Sequence, residues 1–261
     1  MEVKNKKNNK KKNRKNINNE HNKEEKKENN QKKEQVKYFL MIPLEQENFI
    51  ETFNEIREIL EKEKPKDFDS NLMIKSQKLH LTLVVLDLKE SKEKTEKVIN
   101  IINSLLSKIR NIVNDELFFC FDKFDTFDSI KKTYVIFAKM IEDENHYKLK
   151  MIINLIIKKF LEENILNKND LENLKISEEY SDGELIYTIK IHATMLNVKY
   201  LNRALQKEKK DFIKDIDSTE ILQKIKNIKF PDCKIDKINL CAMREDESTG
   251  KYEIIYTFNI L

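Results

Sequence analysis

Apolar residues begin abruptly at Tyr38-Phe39-Leu40-Met41-Ile42, a run with the length and composition of a buried strand, closed by Pro43. The period then changes. Ile50, Phe53, Ile56 and Leu60 recur every three or four residues, which predicts a helix over about 46–62. Residues 79–88 read as a strand. Ser91 is a helix-start residue, and Val98, Ile101, Ile102, Leu105, Ile109 and Ile112 form the inner stripe of a long helix behind it. The second half repeats this succession. Strand material at 116–122 and a strand at 133–140 precede an Ile- and Leu-rich helix over 144–163. A polar segment, 165–183, reads as a loop or insertion. A strand at 187–198, helical segments within 200–228 and two last strands at 234–244 and 252–260 follow, the last two joined by a polar turn containing Gly250.

Strands and helices mixed in this order, given twice, predict an α+β fold in which strands of both halves build one bilobal unit with two sheets facing a cleft. The domain is expected over 36–261. Residues 1–35 contain ten asparagines and almost no apolar side chains, so they are expected to be a disordered Lys/Asn-rich tail.

Charge sharpens that division. Of 50 basic and 46 acidic residues, 13 and 6 fall in the first 35, a net of +7. The remainder holds 37 and 40, a net of −3, which argues against a globally basic nucleic-acid-binding body. Lys4–Lys15, with eight basic residues in twelve, reads as a nuclear localisation or RNA-attracting segment within the tail. Two glycines, Gly183 and Gly250, are too few to write a P-loop or a dinucleotide fingerprint, which excludes those nucleotide-binding classes. Three cysteines without a Cys-x-x-Cys pair support neither a disulfide framework nor a zinc ribbon and suit a reducing compartment. There is no secretory leader pattern and no membrane-length apolar run, so a cytoplasmic or nuclear location without membrane attachment is expected.

The chemistry concentrates in two short stretches: Leu79-His80-Leu81-Thr82-Leu83 and Ile191-His192-Ala193-Thr194-Met195. Side chains alternate along a strand, so each histidine shares a face with the threonine two residues on, while the apolar residues point to a core. Ser and Thr number 20 of 261, so a hydroxyl at that offset arises by chance about once in thirteen histidines. Two copies in equivalent places of a repeated layout exceed that expectation. One neutral and one protonated imidazole can act as general base and general acid, and two hydroxyls can donate to the non-bridging oxygens of a phosphodiester. No metal or other cofactor is called for, and no defensible metal-ligand cluster is written in the chain.

The paired motifs and the opening Tyr38–Pro43 strand resemble the 2H phosphoesterase superfamily, and within it the phosphoesterase-like (nuclear localisation signal) domain of A-kinase anchor proteins. The likeness covers about 36–261. It implies a bilobal fold of pseudo-twofold symmetry, with two antiparallel sheets facing a central cleft and helices packed outside. It implies a nucleotide or RNA phosphodiester ligand, 2′,5′-linked or cyclic. His80 and His192 become the acid–base pair and Thr82 and Thr194 the phosphate binders, without saying which histidine is the acid. A non-catalytic nucleotide- or RNA-end-binding module, or a protein-interaction domain, is the alternative. No kinase regulatory subunit is expected as partner, because no amphipathic helix follows the last strand, and the chain is expected to be monomeric. Two departures stand out: the polar 165–183 segment and the lack of glycines near Phe119–Ser129.

Overall fold

The computed structural model describes residues 37–114, 116–181 and 183–261; the tail expected over 1–35 lies outside the described residues. Alternation of side chains explains the central element. In β2 (His80–Leu86) the residues Leu81 and Leu83 are fully buried on one face while His80 and Thr82 are half-buried on the other. β8 (His192–Asn197) repeats this with Ala193 and Met195 inside. Two sheets are built outward from these strands. On one side β2 pairs with β1 (Tyr38–Pro43), which pairs with β10 (Lys237–Glu245) and that with β11 (Tyr252–Asn259). On the other, β8 pairs with β5 (Val135–Met140) and that with β4 (Phe121–Thr126). All these pairings are antiparallel.

The two expected sheets are joined edge to edge as one seven-stranded sheet, in the order β11-β10-β1-β2-β8-β5-β4. The seam is one residue pair wide: Leu81 opposite Ala193. A second link crosses nearby, where the Ile74 amide donates to the Met195 carbonyl at 3.0 Å.

Three long helices pack on the face away from the histidines. α1 (Glu47–Glu63) buries Phe49, Phe53, Ile56 and Leu60, with the predicted Ile50 at the stripe's edge. α2 (Lys92–Val113) is capped by Ser91, whose hydroxyl accepts the Lys94 amide at 3.3 Å. α3 (Glu144–Glu162) is capped in the same way by Asp143, which accepts the His146 amide at 2.9 Å. These stripes join the inner faces of both sheets in one apolar core, while a small separate cluster, Phe39, Met41 and Cys241, sits on the cleft face.

The segment read as a polar loop, 165–183, contains α4 (Lys168–Asn173) and β6 (Ser177–Ser181), the latter paired with β7 (Glu184–Thr188). Asn167 and Asp170 form a reciprocal cap on α4, and Leu166, Leu171 and Ile176 are buried. Three apolar anchors and a cap suffice to order a stretch whose composition is otherwise polar. β3 (Phe118–Phe119) and β9 (Cys233–Lys234) form a separate short ladder. The helical region after β8 splits into α5 (Val198–Lys207) and α6 (Thr219–Ile225). Among the described residues no helix is long and apolar enough to cross a membrane.

Candidate active site

The antiparallel register around Leu81 and Ala193 places His80 opposite Thr194 and Thr82 opposite His192, all four on the cleft face. The four side chains therefore form a quadrilateral with the imidazoles on one diagonal and the hydroxyls on the other. Regular sheet geometry puts diagonal neighbours about 7–8 Å apart.

Each histidine is oriented by its own strand. His80 Nδ1 lies 2.7 Å from the Lys78 carbonyl and His192 Nδ1 lies 2.7 Å from the Lys190 carbonyl. A carbonyl only accepts, so both neutral rings carry their proton on Nδ1 and keep the Nε2 lone pair for other work. The Thr82 hydroxyl then donates to His80 Nε2, at 3.1 Å. His192 Nε2 has no hydrogen-bond partner among the described residues.

The surroundings repeat as well. Phe39 and Tyr252 flank His80 with ring centroids at 5.3 and 5.5 Å; Phe127 and Phe137 flank His192 at 4.8 and 5.4 Å. Lys78 lies 5.1 Å from the Tyr252 ring centre, and Lys190 lies 4.6 and 4.9 Å from those of Phe127 and Phe137. Each strand also bulges directly after its threonine: Met41 pairs with Thr82 and Leu40 with Val84, skipping Leu83, while Phe137 pairs with Thr194 and Ile136 with Leu196, skipping Met195.

The halves differ in charge. Lys78, 13% exposed, is bound to Glu245 at 2.6 Å, and Lys75 holds the same carboxylate at 2.5 Å, which keeps Glu245 ionised down to about pH 2. Lys190 has no carboxylate partner among the described residues. Burial holds His80 largely neutral and lowers its pKa to about 4, an effect only partly offset by the Lys78 carbonyl and reinforced by the neighbouring His192. Burial also lowers His192, with the Lys190 ammonium adding to the effect. Replacing Lys190 with Met is therefore expected to move the His192 pKa upward, readable from the imidazole proton shifts in an NMR titration; an unmoved or lowered value would contradict the electrostatic coupling.

A cavity of about 180 Å3 opens between the motifs, lined by Thr82 and His192 together with Phe127, Lys190, Leu174 and Ile176. Leu174 and Ile176 come from the 165–183 segment, which therefore walls one side of this cavity. No group of three or more His, Cys, Asp or Glu among the described residues is arranged to hold a metal ion. The aromatic flanks and the two lysines escape a reading by strand, because they become neighbours only through the sheet. The lysines did leave a signal: Lys-x-His-x-Thr occurs at both sites. Other residues with chemical potential lie elsewhere. Tyr38 is in the core, Lys199 is exposed, and His146 lines a separate cavity with Lys139 and Glu142. Arg203 stands near Tyr200 and Tyr252. Cys241 is buried, whereas Cys120 is only half-buried at the break between β3 and β4.

Seven antiparallel strands split by a narrow seam, with a His-x-Thr strand on each side, define a 2H phosphoesterase fold. The chain belongs to the AKAP7 2′5′ RNA ligase-like domain family, whose sequence profile matches residues 36–260. No curated protein gave a significant match. Among solved structures, TT0787 of Thermus thermophilus is similar with a TM-score of 0.50 at 11% identity, over 86% of this chain and 97% of that one. Escherichia coli LigT in complex with 3′-AMP gives a TM-score of 0.48 at 14% identity, over 86% and 98%. Kluyveromyces marxianus Usb1 with uridine monophosphate gives 0.43 at 8%, over 87% and 97%.

Proposed function

We propose that the protein is a phosphodiesterase acting on nucleotide or RNA-derived phosphodiesters, 2′,5′-linked or cyclic, by paired histidine acid–base catalysis that requires no metal. The observation that carries this reading is the quadrilateral, in which two imidazoles with Nδ1 committed to backbone carbonyls stand across a diagonal from each other with a threonine hydroxyl on either side.

A phosphodiester seated between the threonines has its attacking and leaving oxygens toward opposite histidines. A ribose hydroxyl or water adds to phosphorus while one Nε2 takes its proton. The phosphorus–oxygen bond to the leaving group breaks, the electron pair stays on the departing oxygen, and the other imidazolium supplies the proton there. Thr82 and Thr194 donate to the non-bridging oxygens, where charge gathers. Charge is conserved, and the histidine pair ends with its proton exchanged between sites. The phosphate's own negative charge favours the protonated form of whichever imidazole acts as acid, offsetting the burial that keeps both neutral in the free protein.

The pH profile tests this assignment. The active free protein carries one proton on the pair, and both histidine pKa values lie below the ordinary 6.5, that of His80 near 4. At neutral pH and above both lowered rings are neutral and the acid is missing; well below the His80 pKa of about 4 that ring is charged as well and can no longer act as base. With short 2′,5′-linked, 3′,5′-linked and cyclic substrates, kcat/KM is expected to rise as pH falls from 8 and to peak below 6.5, as a coupled pair. A maximum at or above pH 7.5, or binding of all three substrate types with no turnover at any pH, would refute the mechanism.

A further inference from the structure

Beside His80, on the cleft face of the four-stranded sheet, lies a second cavity of about 250 Å3 that the acid–base chemistry leaves unused. Met41, Pro43, Ile50 and Ile254 supply apolar walls. Tyr252 lines it too, and the same ring packs edge-on against His80. The cavity therefore starts one ring away from the reacting centre.

Glu45, Ser76, Gln77 and Lys251 line it as well, and one further polar group, Asn239, is buried in its wall. Asn239, on β10, is 2% exposed and pairs across the ladder with Met41, so its side chain shares the cleft face with that methionine. Its Oδ1 is buried and has no hydrogen-bond partner among the described residues. Arg57 Nε is the other such atom among the described residues, but its guanidinium is otherwise engaged: Nη2 donates to the Ile74 carbonyl at 3.0 Å and the group lies over Phe53. The Asn239 carboxamide has no comparable engagement. A buried amide left unpaired is destabilising, and a leucine of similar size would fill the place without that cost.

A buried amide beside the apolar walls of Met41, Pro43, Ile50 and Ile254 fits a flat heterocycle that carries a donor next to an acceptor, the edge displayed by nucleobases. The slot does not suit a phosphate: Lys251 at its mouth is held by Glu45 at 3.2 Å, and Lys237 binds the same carboxylate. We propose that this cavity is the nucleobase pocket and that Asn239 holds the edge of the base. The inference rests on the phosphodiesterase reading above, since it places the base of the nucleotide whose phosphate occupies the quadrilateral.

Calorimetric titration of the full chain with AMP, CMP, GMP, UMP and base-free ribose 5-phosphate tests it. At least one mononucleotide is expected to bind about tenfold tighter than ribose 5-phosphate, the scale of one well-buried hydrogen-bonded contact. In Asn239→Leu that advantage should shrink to within about threefold, with a thermal midpoint equal to or above that of the unaltered protein. Ile254→Trp, which fills the cavity from a position 47% exposed, should remove the advantage while Asn239 stays in place. Equal binding of nucleotides and ribose 5-phosphate by the unaltered protein, or a nucleotide advantage that survives both substitutions, overturns the pocket and leaves the catalytic reading standing. Failure of every ligand, ribose 5-phosphate included, to bind the unaltered protein overturns both.

Discussion

Replacing His80 or His192 with alanine is expected to reduce turnover of short phosphodiester substrates by at least about 100-fold each, the contribution of one positioned general acid or base. The double variant should lose little more than the worse single one, because two groups that act in one proton circuit are not independent. EDTA should leave the rate of the unaltered protein unchanged. The single variants should also keep their thermal midpoint close to the original, since each ring is half-buried at the cleft and outside the main apolar core. Product mass after reaction with 2′,5′-linked, 3′,5′-linked and cyclic substrates is the measurement. Undiminished hydrolysis by either alanine variant would remove that histidine from the mechanism. Full activity in both would leave the quadrilateral without a chemical role.

The second large effect concerns the seam. Leu81 is fully buried, stands between His80 and Thr82, and makes the one residue pairing between the two sheets. Leu81→Ala removes a buried isobutyl group where the only facing residue on the partner strand is itself an alanine, so there is little nearby to fill the space. A loss of about 2–5 kcal/mol is expected, measured as a fall in the urea midpoint at constant slope. Turnover should drop as well, although every group that touches substrate is still present, because the spacing between the two motifs depends on this contact. A loss under about 1 kcal/mol would mean that the sheets are held together elsewhere, for instance through the link from Ile74 to Met195.

Much of this arrangement is legible one strand at a time. The period-2 alternation around His80 and His192 identifies the face each presents, and burial of Leu79, Leu81, Leu83, Ile191, Ala193 and Met195 agrees with it. The 3.6-residue stripes of α2 and α3 are equally plain, with Ser91 and Asp143 marking their starts. What adjacency in sequence does not carry is which strand lies beside which. The joining of two expected sheets through Leu81 and Ala193 is a long-range event, as are the rings of Phe39, Tyr252, Phe127 and Phe137 around the histidines. Asn239 is the hardest case: in a chain rich in asparagine, composition hides the one that, among the described residues, is buried with its Oδ1 unpartnered. The 165–183 segment misleads for the opposite reason, because three buried apolar side chains are diluted among charged ones. Even there Asn167 and Asp170, three residues apart, carry the pattern of a helix start.

The bulges after Thr82 and Thr194 set a boundary on change. Beyond each extra residue the alternation of the strand shifts phase, so that Leu83 and Val84 are buried in succession, as are Met195 and Leu196. Each strand therefore offers the cleft one imidazole and one hydroxyl before two successive side chains turn inward, and β2 regains the cleft face only at Val85, beside Phe39. New substrates are accommodated most readily by the pieces around the four fixed groups: the turn between β10 and β11, the segment that carries Phe127, and the 165–183 segment. Drift in those pieces alters what is held, while the reaction performed on it stays the same.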